Sequence, residues 1–191
     1  MASPPPGKRS KSEMEIRIAS PPWRRVPRLT SRLQQASEAV RAALPAKFGF
    51  PWMATVLLAD DKTLRRLNRD FRGLDRPTNV LSFPQFMPAQ LAKIGKKGPP
   101  LHMGDIALGY QYIVVEAKKY HKILIDHVTH LVVHGLLHLF GYDHIASAEA
   151  GRMERLEQAI MASLGLPDPY ARVGREKAKK PTPRALKQRI R

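Results

Sequence analysis

The sequence predicts an α+β fold: a mixed four-stranded sheet packed with about five helices. Three observations carry this. Four short segments have strand length, and five longer ones repeat apolar residues at helical spacing. The resulting order, β-α-β-α-β-β-α-α-α, contains antiparallel and crossover connections, so parallel and antiparallel pairs must share one sheet.

Residues 14–19, Met-Glu-Ile-Arg-Ile-Ala, alternate apolar and polar and read as the first strand. Ser20-Pro-Pro-Trp-Arg-Arg is a connector. Thr30 or Ser31 is the expected N-cap of a helix carrying Leu33, Ala36, Val40 and Ala43 as far as Leu44. Pro45 to Pro51 form a loop, and Trp52 to Ala59 form a strand apolar enough to be buried on both faces. Asp60 or Asp61 caps a helix with Leu64, Leu67 and Phe71, which Gly73 stops.

Thr78 to Phe83 read as the third strand, closed by Pro84. Residues 84–101 hold Pro84, Pro88, Pro99 and Pro100 with Lys93, Lys96 and Lys97, which predicts a mobile basic loop. Asp105 to Gly109 read as the fourth strand. Helices follow over Gln111–Tyr120, Ile123–Phe140 and 147–164, the last with Ser147 as its cap. No internal repeat is present.

The chain has 191 residues, enough for one domain with a proper core. It contains no cysteine, so disulfides and thiolate ligands are excluded, and histidine and carboxylate must do any coordination. The N-terminus lacks an apolar signal segment and no apolar run is long enough to span a bilayer, so a soluble, cytoplasmic protein without a membrane partner is expected.

The net charge of +17 is unevenly spread: residues 1–28 carry +5, residues 171–191 carry +8, and the remaining +4 lies between. This suggests a basic, disordered N-terminal tail over 1–12, a folded domain over 13–170, and a basic C-terminal tail over 171–191. Such tails bind polyanions through counterion release, or simply solubilise the chain.

The chemistry gathers in His134-Gly-Leu-Leu-His138-Leu-Phe-Gly141-Tyr-Asp-His144. On a helix a four-residue step turns a side chain by only about 40° and lifts it about 6 Å, so His134 and His138 face one ion together. Gly141 suits the left-handed turn that ends a helix, after which His144 can return the third nitrogen. Three imidazoles leave one tetrahedral position open, the pattern of a catalytic zinc site, so one Zn²⁺ per chain is expected at the end of the long helix. His127 and His130 share the same stripe. His127 lies about 10 Å down the axis from His134 and reads as a core histidine. His130 reads as a support to a ligand, an RNA contact or a satisfied core group. Asp143 either orients a liganding imidazole or forms the turn, and Asp105 either does the same or caps a loop.

The stretch His130 to His144 resembles the signature of the YbeY family, bacterial and organellar metal-dependent endoribonucleases tied to ribosomal RNA maturation. Leu67 to Pro84, Met103-Gly-Asp-Ile106 and Pro167-Asp-Pro-Tyr170 resemble further family segments, so the likeness runs from about Glu13 to Tyr170. It implies the same α+β architecture and single-strand cleavage of ribosomal RNA, notably at the small-subunit 3′ end, with a role in ribosome quality control. Ribosomal or assembly proteins are the implied partners. The resemblance marks Arg72, in the Phe71-Arg72 pair, as the functional arginine and makes His134 and Arg72 the expected catalytic residues. A guanidinium fork can grip two phosphate oxygens. Arg65, Arg66, Arg69 and Arg76 read as surface charge.

Two rival readings remain. The His-x3-His-x2-Gly-x2-His spacing is also that of metzincin proteases, but Gly135 stands where their glutamate general base would be. A non-catalytic assembly factor with a structural zinc would need a fourth protein ligand, such as Asp143.

If residues 171–191 bind RNA electrostatically, deleting them should weaken affinity and flatten the slope of log K against log salt, read by filter binding. Cleavage of a short substrate at saturation should survive. An unaltered slope assigns the tail to solubility alone.

Overall fold

A computed structural model describes residues 13–144 and 147–171. The central strand is β2 (Trp52–Ala59), and its sequence explains its place. Trp52, Ala54, Val56 and Leu58 point to one side and Thr55 and Ala59 to the other, nearly all of them buried, so β2 needs cover on both faces. On one side it pairs in parallel with β1 (Glu13–Ile18), and on the other in parallel with β4 (Leu101–Gly109). The short β3 (Val80–Pro84) closes the sheet antiparallel to β4, giving the order β1-β2-β4-β3.

The two faces carry cores of unequal size. Val56, Leu58, Ile106 and Leu108 belong to the large core, which α1 (Leu29–Ala43), α5 (Leu124–Leu139) and α6 (Ser147–Ser163) complete. On the opposite face Ala59, Leu81 and Ala107 meet Leu64 of α2 (Asp61–Arg72). α4 (Tyr110–Lys119) follows β4 directly and packs beside α5. No helix among the described residues is long and apolar enough to cross a membrane.

α5 is central because it is apolar nearly all round. Val128, Leu131, Val132, Val133, Leu136, Leu137 and Leu139 are all buried against the sheet and the flanking helices. Gly135 allows a close approach to β4. A Cβ there would lie 2.9 Å from Ile106 Cγ2 and 3.0 Å from its Cδ1. The glycine that weakens the protease reading is therefore favoured by helix–sheet packing.

Several sequence expectations need correction. α1 begins at Leu29, ahead of the expected caps, after Arg28 in a left-handed conformation (φ 56). Ser31 Oγ donates to the Arg28 carbonyl at 3.0 Å, so it serves the first turn from inside the helix. Of the two acids before α2, Asp60 is the cap, accepting the Thr63 N–H at 2.8 Å. Asp61 instead accepts the Tyr112 N–H at 3.1 Å and ties α2 to α4.

β4 starts at Leu101, four residues before the expected Asp105. The pairing with β2 shifts register between Met53 and Thr55, beside Gly104 at φ 134. A Cβ on Gly104 would lie 2.1 Å from the Phe83 carbonyl oxygen, so the irregular strand depends on glycine. Residues 84–101 are also not a free loop. They hold a short helix, α3 (Pro88–Leu91), with Leu91 buried and Phe86 and Ile94 packed on the core, a sixth helix beyond the five expected. Apolar residues spaced among prolines and lysines carried the packing signal. Residues 1–12 and most of the C-terminal tail lie outside the described residues, as does the side chain of Ser147, expected to cap α6.

Gly135→Ala should lower stability by about 1 kcal/mol in urea denaturation, because overpacking of about 1–3 kcal/mol outweighs a helix-propensity gain of about 1 kcal/mol. In an Ile106→Ala background the same change should be neutral or stabilising. Equal cost in both backgrounds would show that the contact with Ile106 is not the reason for glycine.

Candidate metal centre

Three imidazoles meet at the C-terminal end of α5. His134 and His138 stand one turn apart, with Nε2 atoms 3.0 Å from each other. Gly141 takes φ 78 and ends the helix, with its N–H bonded to the His138 carbonyl at 3.0 Å and the Tyr142 N–H to Leu137 at 3.1 Å. The chain turns back and brings the His144 ring centroid to 5.4 Å from that of His134 and 5.1 Å from that of His138. One nitrogen from each ring can be chosen so that all three lie within 4.8 Å of one another. Ligand nitrogens on a tetrahedral zinc, each about 2.1 Å from the ion, stand about 3.4 Å apart, so the set fits an ion of that kind with little movement.

Electrostatics favours the neutral, ligand-ready form. Burial, helped by the neighbouring His134 and His144, lowers the pKa of His138 to about 4. Asp143 accepts the His144 N–H at 2.7 Å, which closes the turn. Its contact with His144 Nδ1 is 3.5 Å, too long for a strong hydrogen bond, so the geometry supports the turn-forming reading.

The residue that sequence reasoning missed is Glu157. It is a wholly buried carboxylate on α6 that receives His134 Nδ1 at 2.7 Å and His130 Nε2 at 2.9 Å. Tyr170 donates its hydroxyl to the same carboxylate. Burial pushes the carboxyl pKa up, but the bonds from His130 and His134 outweigh it and hold the pKa at about 2. A signal was present: Met153, Glu157, Ile160 and Met161 fall on one helical stripe, and an acid inside a core stripe demands partners.

The other expected residues are placed as follows. His130 belongs to the Glu157 network, a support beside the triad. His127 bonds Glu116 of α4 at 2.8 Å, as befits a core histidine. Asp105 is not brought to the triad: its side chain faces away from α5, opposite Ile106, and its neighbour there is His102 Nε2 at 3.5 Å. Strand alternation decides this, because Ile106 takes the α5 side.

Arg72 is the last residue of α2, on the sheet face opposite α5. The preceding Phe71 stacks edge-on against Phe83 of edge strand β3, with ring centroids 5.1 Å apart. Among the described residues no hydrogen bond joins Arg72 to the triad. Among the described residues its guanidinium has no ion-pair partner, whereas Arg65 grips Asp75 at 2.7 and 2.8 Å and Arg69 pairs with Asp70 at 2.9 Å.

The model of the endoribonuclease YbeY family matches residues 24–165, which include Arg72, all three triad histidines and Glu157. The chain belongs to the YbeY family. Among relatives named endoribonuclease YbeY, that of Rhodopseudomonas palustris strain BisB5 is 45% identical over 158 residues, covering 82% of this chain and 80% of the relative. That of Bradyrhizobium sp. strain BTAi1 is 43% identical over 157 residues, covering 82% and 91%. A Thermotoga maritima protein known from its solution structure shares the fold, with a TM-score of 0.52 over 87% of this chain and 99% of that one, at 19% identity. The YbeY match takes in the paired blocks around Arg72 and His134, and Tyr170 lies just beyond it.

The depressed His138 pKa sets a pH dependence. Unfolded, the ring takes a proton near 6.5; folded, it resists until about 4. The unfolded state therefore binds more protons in that window, and the stability of metal-free protein should fall as pH drops from about 6.5 toward 4. Glu157 adds a second loss below about 4.5, where its unfolded form protonates first. Melting temperatures of metal-free wild type and His138→Gln across pH 7 to 4 check this, and the variant should show a flatter profile above pH 4.5.

Proposed function

We propose that the protein is a zinc-dependent endoribonuclease that cleaves single-stranded ribosomal RNA during maturation, notably at the small-subunit 3′ end. The observation that carries the reading is the convergence of His134, His138 and His144 at the end of α5 in a chain of the YbeY family. One Zn²⁺ per chain is held by these three rings. A bound zinc ion supplies Lewis acidity toward water and toward a phosphoryl oxygen.

The chain's own groups do the rest. The depressed pKa of His138 keeps its lone pair available in mild acid. Arg72 grips the scissile phosphate, for which its uncommitted planar fork is suited. Beside Arg72, Phe71 packs on Phe83 of edge strand β3 at the end of α2. Glu157 is sealed from solvent and committed to three donors, so it does not act as a general base. The basic side chains of α2, Lys62 and Arg66 among them, steer the polyanion. The partners in this reading are ribosomal RNA, the small ribosomal subunit and its assembly proteins, in the cytoplasm and in ribosome quality control.

The test is purified, metal-quantified protein incubated with single-stranded and duplex ribosomal RNA and with casein. Wild type should hold about one Zn²⁺ and cut only single-stranded RNA, and His138→Ala should lose most of the zinc. Arg72→Ala should lower cleavage by about 10²-fold or more with zinc content and melting temperature near wild type. Arg72→Lys should rescue only in part. Arg66→Ala is the control, costing a few-fold at most and less as salt rises; Arg65 does not serve because it anchors Asp75. Equal losses from Arg72→Ala and Arg66→Ala would make Arg72 one more surface charge.

A further inference from the structure

Burying a carboxylate with no solvent contact is strongly unfavourable unless donors surround it, and α6 buries Glu157 in this way. Three donors converge on it: His134 Nδ1 at 2.7 Å, His130 Nε2 at 2.9 Å and the Tyr170 hydroxyl. An ionised carboxylate can only accept, so each partner has to present a hydrogen. That requirement selects imidazole tautomers. His134 must carry its proton on Nδ1, which leaves a bare lone pair on Nε2. Nε2 is the atom that faces His138 Nε2 at 3.0 Å, at the centre of the triad. His130 must carry its proton on Nε2, and its Nδ1 is then buried without a partner among the described residues.

We propose that Glu157 is the positioning residue of the metal centre. It holds His134 as the Nδ1–H tautomer, so that Nε2 is delivered as a ligand, while His130 and Tyr170 keep the carboxylate aimed. This rests on the metal-site reading given above. The placement of Tyr170 is itself built. After Gly165 ends α6 at φ 68, Asp168 accepts from Gln158 Nε2 at 3.0 Å and from the Tyr170 N–H at 2.9 Å. Lys122 Nζ donates to the Pro169 carbonyl at 3.0 Å. The segment after α6 is thus strapped back onto α5, and Tyr170 lies edge-on to His130 with ring centroids 5.7 Å apart. A carboxylate accepting from a ligand imidazole also makes that imidazole a better donor to a cation, and losing such a partner costs roughly 10–100-fold in metal affinity.

The alternative is a hub that merely holds α6 and its strap against α5. Glu157→Gln separates the two. The two rings donate to different oxygens of Glu157, and the amide keeps only one; turned toward His130 and Tyr170, which share one side, it presents its NH₂ to His134 Nδ1, and His134 loses its fixed tautomer. Full-length protein is stripped of metal, labelled with ¹⁵N-histidine, and titrated with Zn²⁺ in competition with a chromophoric chelator. In wild type, His134 should be the Nδ1–H tautomer. Glu157→Gln should show a mixture and bind Zn²⁺ about 10–100-fold more weakly at a temperature where melting shows it folded. Glu157→Asp keeps the charge but withdraws it from the ring, and should also bind Zn²⁺ more weakly than wild type. A Gln variant that melts lower but binds Zn²⁺ as tightly as wild type makes Glu157 purely structural and overturns the inference. If the Gln variant does not fold, the wild-type tautomer decides, and an Nε2–H ring at His134 overturns it. A wild type that takes up no Zn²⁺ overturns the metal reading and the inference with it. Zn²⁺ uptake by wild type with no change in the variants overturns the inference alone.

Discussion

Imidazoles on a helix that solvent barely reaches must find partners inside the protein, and that requirement organises this structure. α5 is apolar on almost every side yet carries four histidines along one stripe. Two acids from neighbouring helices meet the first three. Glu116 of α4 takes His127, and through Asn79 Nδ2 at 2.9 Å it also anchors the segment leading into β3. Glu157 of α6 takes His130 and His134. The partners that satisfy the rings are therefore also the contacts that fix α4 and α6 around the central helix. Among the described residues His138 hydrogen-bonds no acid and faces His134 and His144 instead, and burial beside those two rings is what drives its pKa to about 4. The C-terminal end of the helix, where the three imidazoles converge, is the place where the pairing of histidine with carboxylate stops.

The sheet imposes the second constraint. Glycine at 135 lets α5 approach β4 until Ile106 fills the space a side chain would need, and glycine at 104 lets the Phe83 carbonyl of β3 lie against β4 beside the register shift with β2. Alternation along β4 then separates the two candidate functions of the Gly-Asp-Ile segment: Ile106 packs under α5, and Asp105 faces the other way.

Charge is sorted by similar local geometry. Arg65, Arg66, Arg69 and Arg72 are equivalent in composition, but Asp75 and Asp70 engage the first and third. Arg65 becomes a clamp on the turn after α2, where Asn68 Nδ2 also holds the Arg76 carbonyl at 2.8 Å. Arg72, at the left-handed Gly73 cap, is left exposed with its guanidinium uncommitted among the described residues.

The sequence by itself determined the element order apart from α3, the α+β class and the three converging histidines. These rest on local periodicity and on a helix-ending glycine, and both act over a few residues. It also placed the family resemblance correctly, in blocks whose order the chain preserves. It misjudged segments whose structure depends on distant neighbours. The span 84–101 looked like a loop because its prolines and lysines are local signals, while the burial of Leu91 against the core is not. α1 starts without a side-chain cap because burial of Leu29 offsets the missing bond. Only the tertiary structure joined Glu157 to His134, since 23 residues and a helix turn separate them, and no spacing rule connects an acid on one helix to a ring on another. Likewise only the fold decided that Asp105 faces away from the triad, because a strand shows its two faces in alternation and the sequence does not say which one the helix covers.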